Sequence, residues 1–325
     1  MNIKETQLGS LRTLLRIIPE LEDKDSLFFF RGHADKDFLL QPSIYRKSVW
    51  ISNEDKIIRE IIMRCPSEFS NMTSSFEKLV KMQHYDLPTR LLDITENPLV
   101  ALYFACIGEN NKEKDGEILF FKIPKLDVKY FDSDTVSVVS NIAWAKSDFE
   151  IAEQFDGNYK QFHHKDNHHA LKLMHDIKQE KPHFLERINP RHIKSVVCVK
   201  PKLDNPRVVR QDGAFLLFGI GQNKHSPAIV SDNWIFRPNA KRYIIKAADK
   251  VGILKQLAGV GISKAKLFPE IDMVSQFIKN DYGLDEIEFE SSIKRLSPID
   301  IKISWWKLYV KLCFMMNKMP AEPYQ

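Results

Sequence analysis

Cysteine is scarce in this chain. Four occur in 325 residues, and Cys65, Cys106, Cys198 and Cys313 stand far apart, with no Cys-x-x-Cys pair and each inside an apolar run. That usage speaks against a disulfide framework and against a zinc ribbon, and it predicts buried thiols in a reducing, cytoplasmic setting. Long hydrophobic runs are lacking too. No segment reaches the ~20 apolar residues of a spanning helix, so no membrane span is expected. The first twenty residues have no continuous apolar stretch of the secretory kind. An excess of one charge is also missing. Lysine and arginine number 48 against 43 acids, a net charge of +5, which is too balanced to indicate nucleic-acid binding from charge alone. Repeats and low-complexity tracts are absent from the sequence. What the chain does have is 43% hydrophobic residues, enough for a sizeable core in one large domain or two.

Periodicity orders that content. Leu8, Leu11, Leu14, Leu15 and Ile18 fall at helical spacing and predict an opening amphipathic helix over residues 5–20 that covers a sheet. The aromatic run at 27–30 reads as a short strand delivering Arg31 at its end, with Gly32 relieving the backbone at a turn. Helices are expected at 53–64 and 74–83, strands at 116–123, 195–199, 214–218 and 243–245, and a polar, mostly helical region at 132–190. Strands and helices alternate without a regular βαβ rhythm, which predicts an α+β fold with a mixed sheet and flanking helices. The expected organisation is a principal domain over 1–272, with core motifs at 27–123 and 195–219, followed by a C-terminal helical segment over 273–325. Within that segment a helix is expected from about Asp272 to Tyr282. The apolar run 304–314, with lysines at i and i+4, reads as a helix docking on its own domain; a partner-binding or membrane-surface helix is the alternative.

Residues 79–106 concentrate the polar chemistry. They read as a helix ending at Gln83-His84-Tyr85, a turn at Leu87-Pro88-Thr89, a strand at 90–93, and a second helix entered through Thr95-Glu96-Asn97-Pro98. Polar groups then gather at one strand end and one helix start, where unpaired amides suit an anion or a nucleotide phosphate. Arg31 carries a planar fork of donors suited to phosphate or carboxylate, with an ion pair to an acid such as Asp93 as the structural alternative. His84 is a candidate base or ligand contact, or else a donor to a carbonyl of the following turn. His163, His164, His168, His169 and His175 invite a zinc reading, but no Cys or Glu-x-x-His frame completes a site. A solvated polar loop is expected and no metal. Residues 257–265, with Gly259 and Gly261, resemble the hairpin of helix-hairpin-helix DNA-binding motifs. Leu267-Phe268-Pro269 follows too soon to leave a long second helix.

Several of these residues carry a resemblance. Phe30-Arg31-Gly32, Leu40-Gln41-Pro42-Ser43-Ile44-Tyr45-Arg46, the block from Gln83 to Ala105, the block from Asn205-Pro206-Arg207 to Gly219, and Leu267-Phe268-Pro269-Glu270 are similar to the pattern of the FRG domain family. More loosely, a strand, a short polar turn and a helix with Ala101, Phe104 and Ala105 resemble the middle motif of ADP-ribosyltransferases. That resemblance implies NAD as cofactor, Arg31 on the dinucleotide and Thr95 beside the nicotinamide ribose. It also implies a catalytic Glu where this chain has Gln211. An amide stabilises a developing ribosyl cation poorly, so Asp212, Asp93 or Glu96 would have to supply the missing carboxylate. Taken together, the sequence points to a pocket with Arg31, His84, Asp93, Thr95 and Gln211 in the chemistry and Arg31, Gly32, Thr95, Asn97 and Arg207 on the cofactor. The function implied is nucleotide recognition, and further an ADP-ribosyltransferase or glycohydrolase acting on a protein or nucleic-acid acceptor in a bacterial effector or defence setting. A non-catalytic ligand-sensing module and a nucleic-acid-binding protein are the alternatives.

Overall fold

The computed structural model describes residues 4–108, 111–150, 168–186, 188–271, 274–275 and 278–279. The chain divides into two compact units, residues 1–269 and 270–325. The architecture below is that of the first; the helices expected at 272–282 and 304–314 lie largely or wholly outside the described residues.

A mixed sheet organises the described residues. Its strands are β1 (Lys4–Gln7), β2 (Ser26–His33), β3 (Leu91–Thr95), β4 (Gly116–Pro124), β5 (Val128–Tyr130), β6 (Val196–Lys200), β7 (Gly213–Phe218), β8 (Ile235–Phe236) and β9 (Lys241–Ile245). They run in the order β1-β9-β4-β2-β3-β7-β6-β5, with β8 also pairing β4. β1 is parallel to β9 and β5 to β6, while the other pairs are antiparallel. The expected α+β class with a mixed sheet is what the molecule has.

Alternation along the strands gives the sheet two apolar faces. Phe30 and Phe120 pack on one face with Val100, Ala101, Ile253 and Leu257, while Phe29 and Phe121 pack on the other with Leu92, Leu216 and Trp234. Phe215 and Leu217 on β7 face a third cluster built with Phe76, Leu79 and Ile142. The helices that matter here are α1 (Glu54–Arg64), α2 (Ser75–His84), α3 (Pro98–Cys106), α4 (Asp134–Asn141), α5 (His168–Glu180), α6 (Pro206–Arg210) and α7 (Lys250–Gly259). Local chemistry sets their starts. Ser74 and Glu77 form a reciprocal capping box for α2, and Asn97-Pro98 and Asn205-Pro206 place an N-cap acceptor and a first-turn proline ahead of α3 and α6.

Two glycines let α3 lie against the sheet. A Cβ on Gly32 would stand 2.0 Å from the Ala101 carbonyl oxygen and 2.4 Å from the Ala105 amide, and one on Gly116 would stand 2.4 Å from the Ala105 carbonyl oxygen. Gly32 therefore does not serve a turn. It sits inside β2 opposite Ile118, with Arg31 before it and His33 after it, so Arg31 is also interior to the strand rather than at its end.

Other expectations are corrected in the same way. Residues 5–20 form β1, a five-residue helix Leu11–Leu15 capped by Ser10, and a 3-10 turn Ile18–Glu20. Gly9 and Ser10 end the extended segment and Pro19 prevents a long helix, so helical spacing of leucines was satisfied by two different elements. Gly261 takes φ 88° and closes the C-terminus of α7: its amide donates to Ala258 O (3.0 Å) and the Ile262 amide to Leu257 O (2.8 Å). That is a Schellman cap, and it occupies the amides that a DNA-binding hairpin would present to phosphate. His168 and His169 begin α5, and His169 packs against Phe149; His163 and His164 lie outside the described residues.

A buried ion cluster holds the far end of β3. Arg90 and Lys224 are both fully buried, with Glu54 2% exposed between them. Arg90 donates from Nε to Glu54 Oε1 (2.9 Å), from Nη2 to Glu54 Oε2 (2.5 Å) and from Nη1 to Phe218 O (2.9 Å). Lys224 reaches Glu54 Oε2 (3.0 Å) and the Ala145 carbonyl (2.5 Å). Burial favours the neutral acid, but the two cations outweigh it and hold the Glu54 carboxyl below its ordinary range.

Candidate functional site

The sheet has a seam between β2 and β3. β2 pairs β4 along eight residues and β3 pairs β7 along five, yet β2 and β3 share only the register pair Phe30 with Thr95. A cleft of about 610 Å³ opens there. It is lined from β2 by Arg31, Gly32 and His33, from β3 by Asp93 and Thr95, from the end of α2 by Gln83 and His84, and from α6 and its flanks by Asn205, Arg207 and Gln211. Phe38, Phe104 and Phe215 add aromatic walls, and Arg46 a further cation.

Arg31 bridges the seam. Its Nη1 donates to the Asp93 carbonyl at 2.5 Å, replacing a ladder bond that β2 does not supply, and its Nε–H donates to His33 Nε2 at 3.1 Å. The guanidinium makes no hydrogen bond to a carboxylate among the described residues. Burial therefore dominates, and with repulsion from Arg46 it outweighs the attraction of Asp93, bringing the Arg31 pKa down to about 10.

His33 is the neutral partner this arrangement needs. Burial, then the nearby charges of Arg31 and Arg46, push its pKa down to about 3. It thus accepts from Arg31 as an uncharged imidazole at neutral pH. The linkage has a definite sign: below the unfolded value of about 6.5 the unfolded chain takes up a proton that the folded chain refuses, so stability is lost as pH falls. The slope from this one group approaches about 1.4 kcal/mol per pH unit down to about pH 3. Urea unfolding at pH 7 and pH 4.5 is expected to differ by about 2 kcal/mol more in the wild type than in His33→Gln, which keeps an acceptor and cannot titrate. Equal pH dependence in both proteins would show that His33 is not held neutral.

The predicted residues are placed as follows. Arg31, Gly32, His84, Asp93, Thr95, Arg207 and Gln211 all line the cleft, and Asn97 does not. Asn97 caps α3, accepting from the Leu99 amide (2.9 Å) and donating to Asp212 (3.0 Å), so the amide expected to meet an anion at that helix start is already bonded within the protein. Thr95 is 5% exposed, and its hydroxyl donates to Gln211 O (2.6 Å) while accepting from the Asn97 amide (3.0 Å). Gln211 donates from Nε2 to Leu267 O (3.0 Å). Arg207 donates to the His84 carbonyl (3.0 Å) and stacks on Phe268 at 4.7 Å. Of the three acids that could stand in for the expected Glu, Asp93 lines the cleft, Asp212 binds Asn97 and Glu96 pairs with Lys200 (2.9 Å).

His33, Arg46, Gln83 and Thr89 were not singled out from the sequence. Arg46 closes the quoted motif Leu40–Arg46 and His33 follows the quoted Phe30-Arg31-Gly32; the signal that could have found His33 is its i+2 relation to Arg31, which puts both on one side of β2. Among the described residues no three His, Cys, Asp or Glu side chains are grouped as metal ligands, and no helix is long and apolar enough to cross a membrane.

Fold and cleft together define an α+β protein with a cationic cleft at a sheet seam. The chain carries an FRG domain: the family model of that domain matches residues 26–114, from the start of β2 to the residues just before β4, and so includes Arg31, His33, Arg46, Gln83, His84, Asp93 and Thr95. Asn205, Arg207 and Gln211 complete the cleft from outside the matched span. No curated protein and no solved structure matches the chain.

Proposed function

We propose that the cleft recognises a nucleotide or another phosphate-bearing ligand. The observation that carries this reading is Arg31, whose guanidinium is desolvated in the cleft and held by a neutral imidazole and a backbone carbonyl rather than by a carboxylate. Its remaining donors are left for an anion, and Arg46 has no hydrogen-bond or ion-pair partner among the described residues. A planar fork in a partly dry site is the arrangement that binds phosphate bidentately. The aromatic walls from Phe38, Phe104 and Phe215 suit a planar base beside those phosphates.

A second reading is favoured by Asp93. A carboxylate shares the cleft with Arg31, which is the pairing that cleavage of a nicotinamide glycosidic bond requires: cations for the diphosphate and an acid facing the ribosyl cation. On this reading the bound nucleotide is NAD and the chemistry is ADP-ribosyl transfer or hydrolysis. A sensor would use Arg31 alone.

Calorimetry with ADP-ribose and with NAD, followed by assay of nicotinamide release, separates these outcomes. Arg31→Ala is expected to weaken binding about 100-fold, the usual worth of a charge-assisted pair in a desolvated site. Release that disappears in Asp93→Asn while binding persists supports the enzyme, binding without release supports the sensor, and no binding by the wild type overturns the nucleotide reading.

A further inference from the structure

A chain of hydrogen bonds runs from the buried backbone to the cleft. The Leu91 amide donates to Thr89 Oγ1 (3.1 Å), Thr89 Oγ1 donates to Gln83 Oε1 (2.6 Å), and Gln83 Nε2 donates to Asp93 Oδ2 (2.8 Å). The Thr89 oxygen accepts from the Leu91 amide and keeps its own proton to donate, and the 2.6 Å contact with Gln83 has the length of an O–H···O bond. That contact fixes which end of the Gln83 amide is the oxygen. Its NH₂ group then faces Asp93, whose Oδ2 accepts from it.

The chain of bonds is buried at its Thr89 end and exposed at Asp93. Thr89 is 1% exposed, and its own amide donates to Ser43 Oγ (3.2 Å) while its carbonyl accepts from the Ile44 amide (3.2 Å). The turn at Pro88-Thr89 is thus tied to the segment that carries Arg46. Gln83 is in the last turn of α2 and only half-buried, so Thr89 is the buried group that holds its amide toward Asp93. At the far end, Oδ1 of Asp93 has no hydrogen bond among the described residues, and the residue lines the cleft beside Arg31.

We infer that Thr89 and Gln83 are positioning residues that orient Asp93 so that its Oδ1 accepts from a sugar hydroxyl of the bound ligand, which makes the ligand class a ribose-bearing phosphate. The inference rests on the nucleotide reading of the same cleft. It adds a demand that phosphate recognition alone does not make: inorganic pyrophosphate, which lacks hydroxyl donors on a sugar, gains nothing from Asp93.

The test has a ligand-free arm and a binding arm. In the first, the Gln83 side-chain amide resonances are followed by NMR in the wild type, Thr89→Ser and Thr89→Val. Protection of that NH₂ group from solvent exchange should persist with serine and be lost with valine; persistence with valine would overturn the relay whatever the cleft binds. In the second arm, calorimetry uses ADP-ribose and pyrophosphate. Thr89→Val and Gln83→Leu should each weaken ADP-ribose about tenfold and leave pyrophosphate within about twofold, with Thr89→Ser near wild type. Gln83→Leu serves as the variant that leaves the buried turn intact if Thr89→Val folds poorly. In an Asp93→Asn background Gln83→Leu should cost nothing further, because both act through one oxygen. Full additivity of the two losses, or equal losses for pyrophosphate, would sink the positioning role. Failure of the wild type to bind either probe would instead overturn the reading of the cleft, with the NMR arm still deciding the relay.

Discussion

Gly32→Ala is expected to leave no stably folded domain, although it adds one methyl group. The new Cβ would lie 2.0 Å from the Ala101 carbonyl oxygen and 2.4 Å from the Ala105 amide nitrogen, and both are backbone atoms of α3 rather than flexible side-chain ends. Relief requires α3 to move away from β2, and that separates Val100, Ala101 and Ala105, all fully buried, from Phe30 and Ile118. Overpacking that a side chain can absorb costs about 1–3 kcal/mol; displacement of a whole buried helix belongs to the exceptional class above about 4 kcal/mol. Domains of this size are stable by only about 5–15 kcal/mol. The matched control is Gly252→Ala, where an added Cβ meets nothing within 4 Å in the first turn of α7. That change should raise stability by about 0.5–1 kcal/mol through helix propensity. Circular dichroism melts of the two variants decide the matter, and a Gly32→Ala protein that melts within a few degrees of wild type would refute the packing argument.

Glu54→Gln should be strongly destabilising although it is isosteric. The substitution preserves shape and leaves Arg90 and Lys224, both at 0% exposure, without the negative charge between them. Breaking a buried pair in this way typically costs about 3–5 kcal/mol, because the remaining charge keeps its desolvation penalty. Here two cations are stranded. Arg90→Met should cost less, since it leaves Lys224 and Glu54 paired, and the order of the two losses in urea unfolding is the observable that identifies the acid as the centre of the cluster. The pH dependence follows the usual sign for an acid. The Glu54 carboxyl is held below its ordinary value, so its stabilisation is present above the unfolded pKa and disappears as pH falls through the folded one.

How much of this was legible in the sequence differs by the range of the interaction. Helices 54–64 and 75–84 and the strands at 116–124 and 213–218 could be read within about two residues, because caps and alternation are local. Residues 5–20 could not, since apolar residues at helical spacing fit a short helix and a 3-10 turn as well as one long helix when Gly9 and Pro19 interrupt them. At the cleft, Arg31, Asp93, Arg207 and Gln211 could be named, yet their arrangement depends on which strands neighbour which. The relation of Arg31 to the Asp93 carbonyl spans 62 positions of sequence, and that of Arg90 to Phe218 spans 128. Gly32 was noticed for the wrong reason: a glycine that frees φ and a glycine that makes room look identical in one sequence.

The single register pair between β2 and β3 also has a mechanical meaning. β1, β9, β4 and β2 form one plate, β3, β7, β6 and β5 another, and the ladder between the plates is one pair wide. Arg31 rides on the first plate and Asp93 on the second. A molecule gripping both acts as a rivet across the joint, so filling the cleft and stiffening the domain become two measurements of one event.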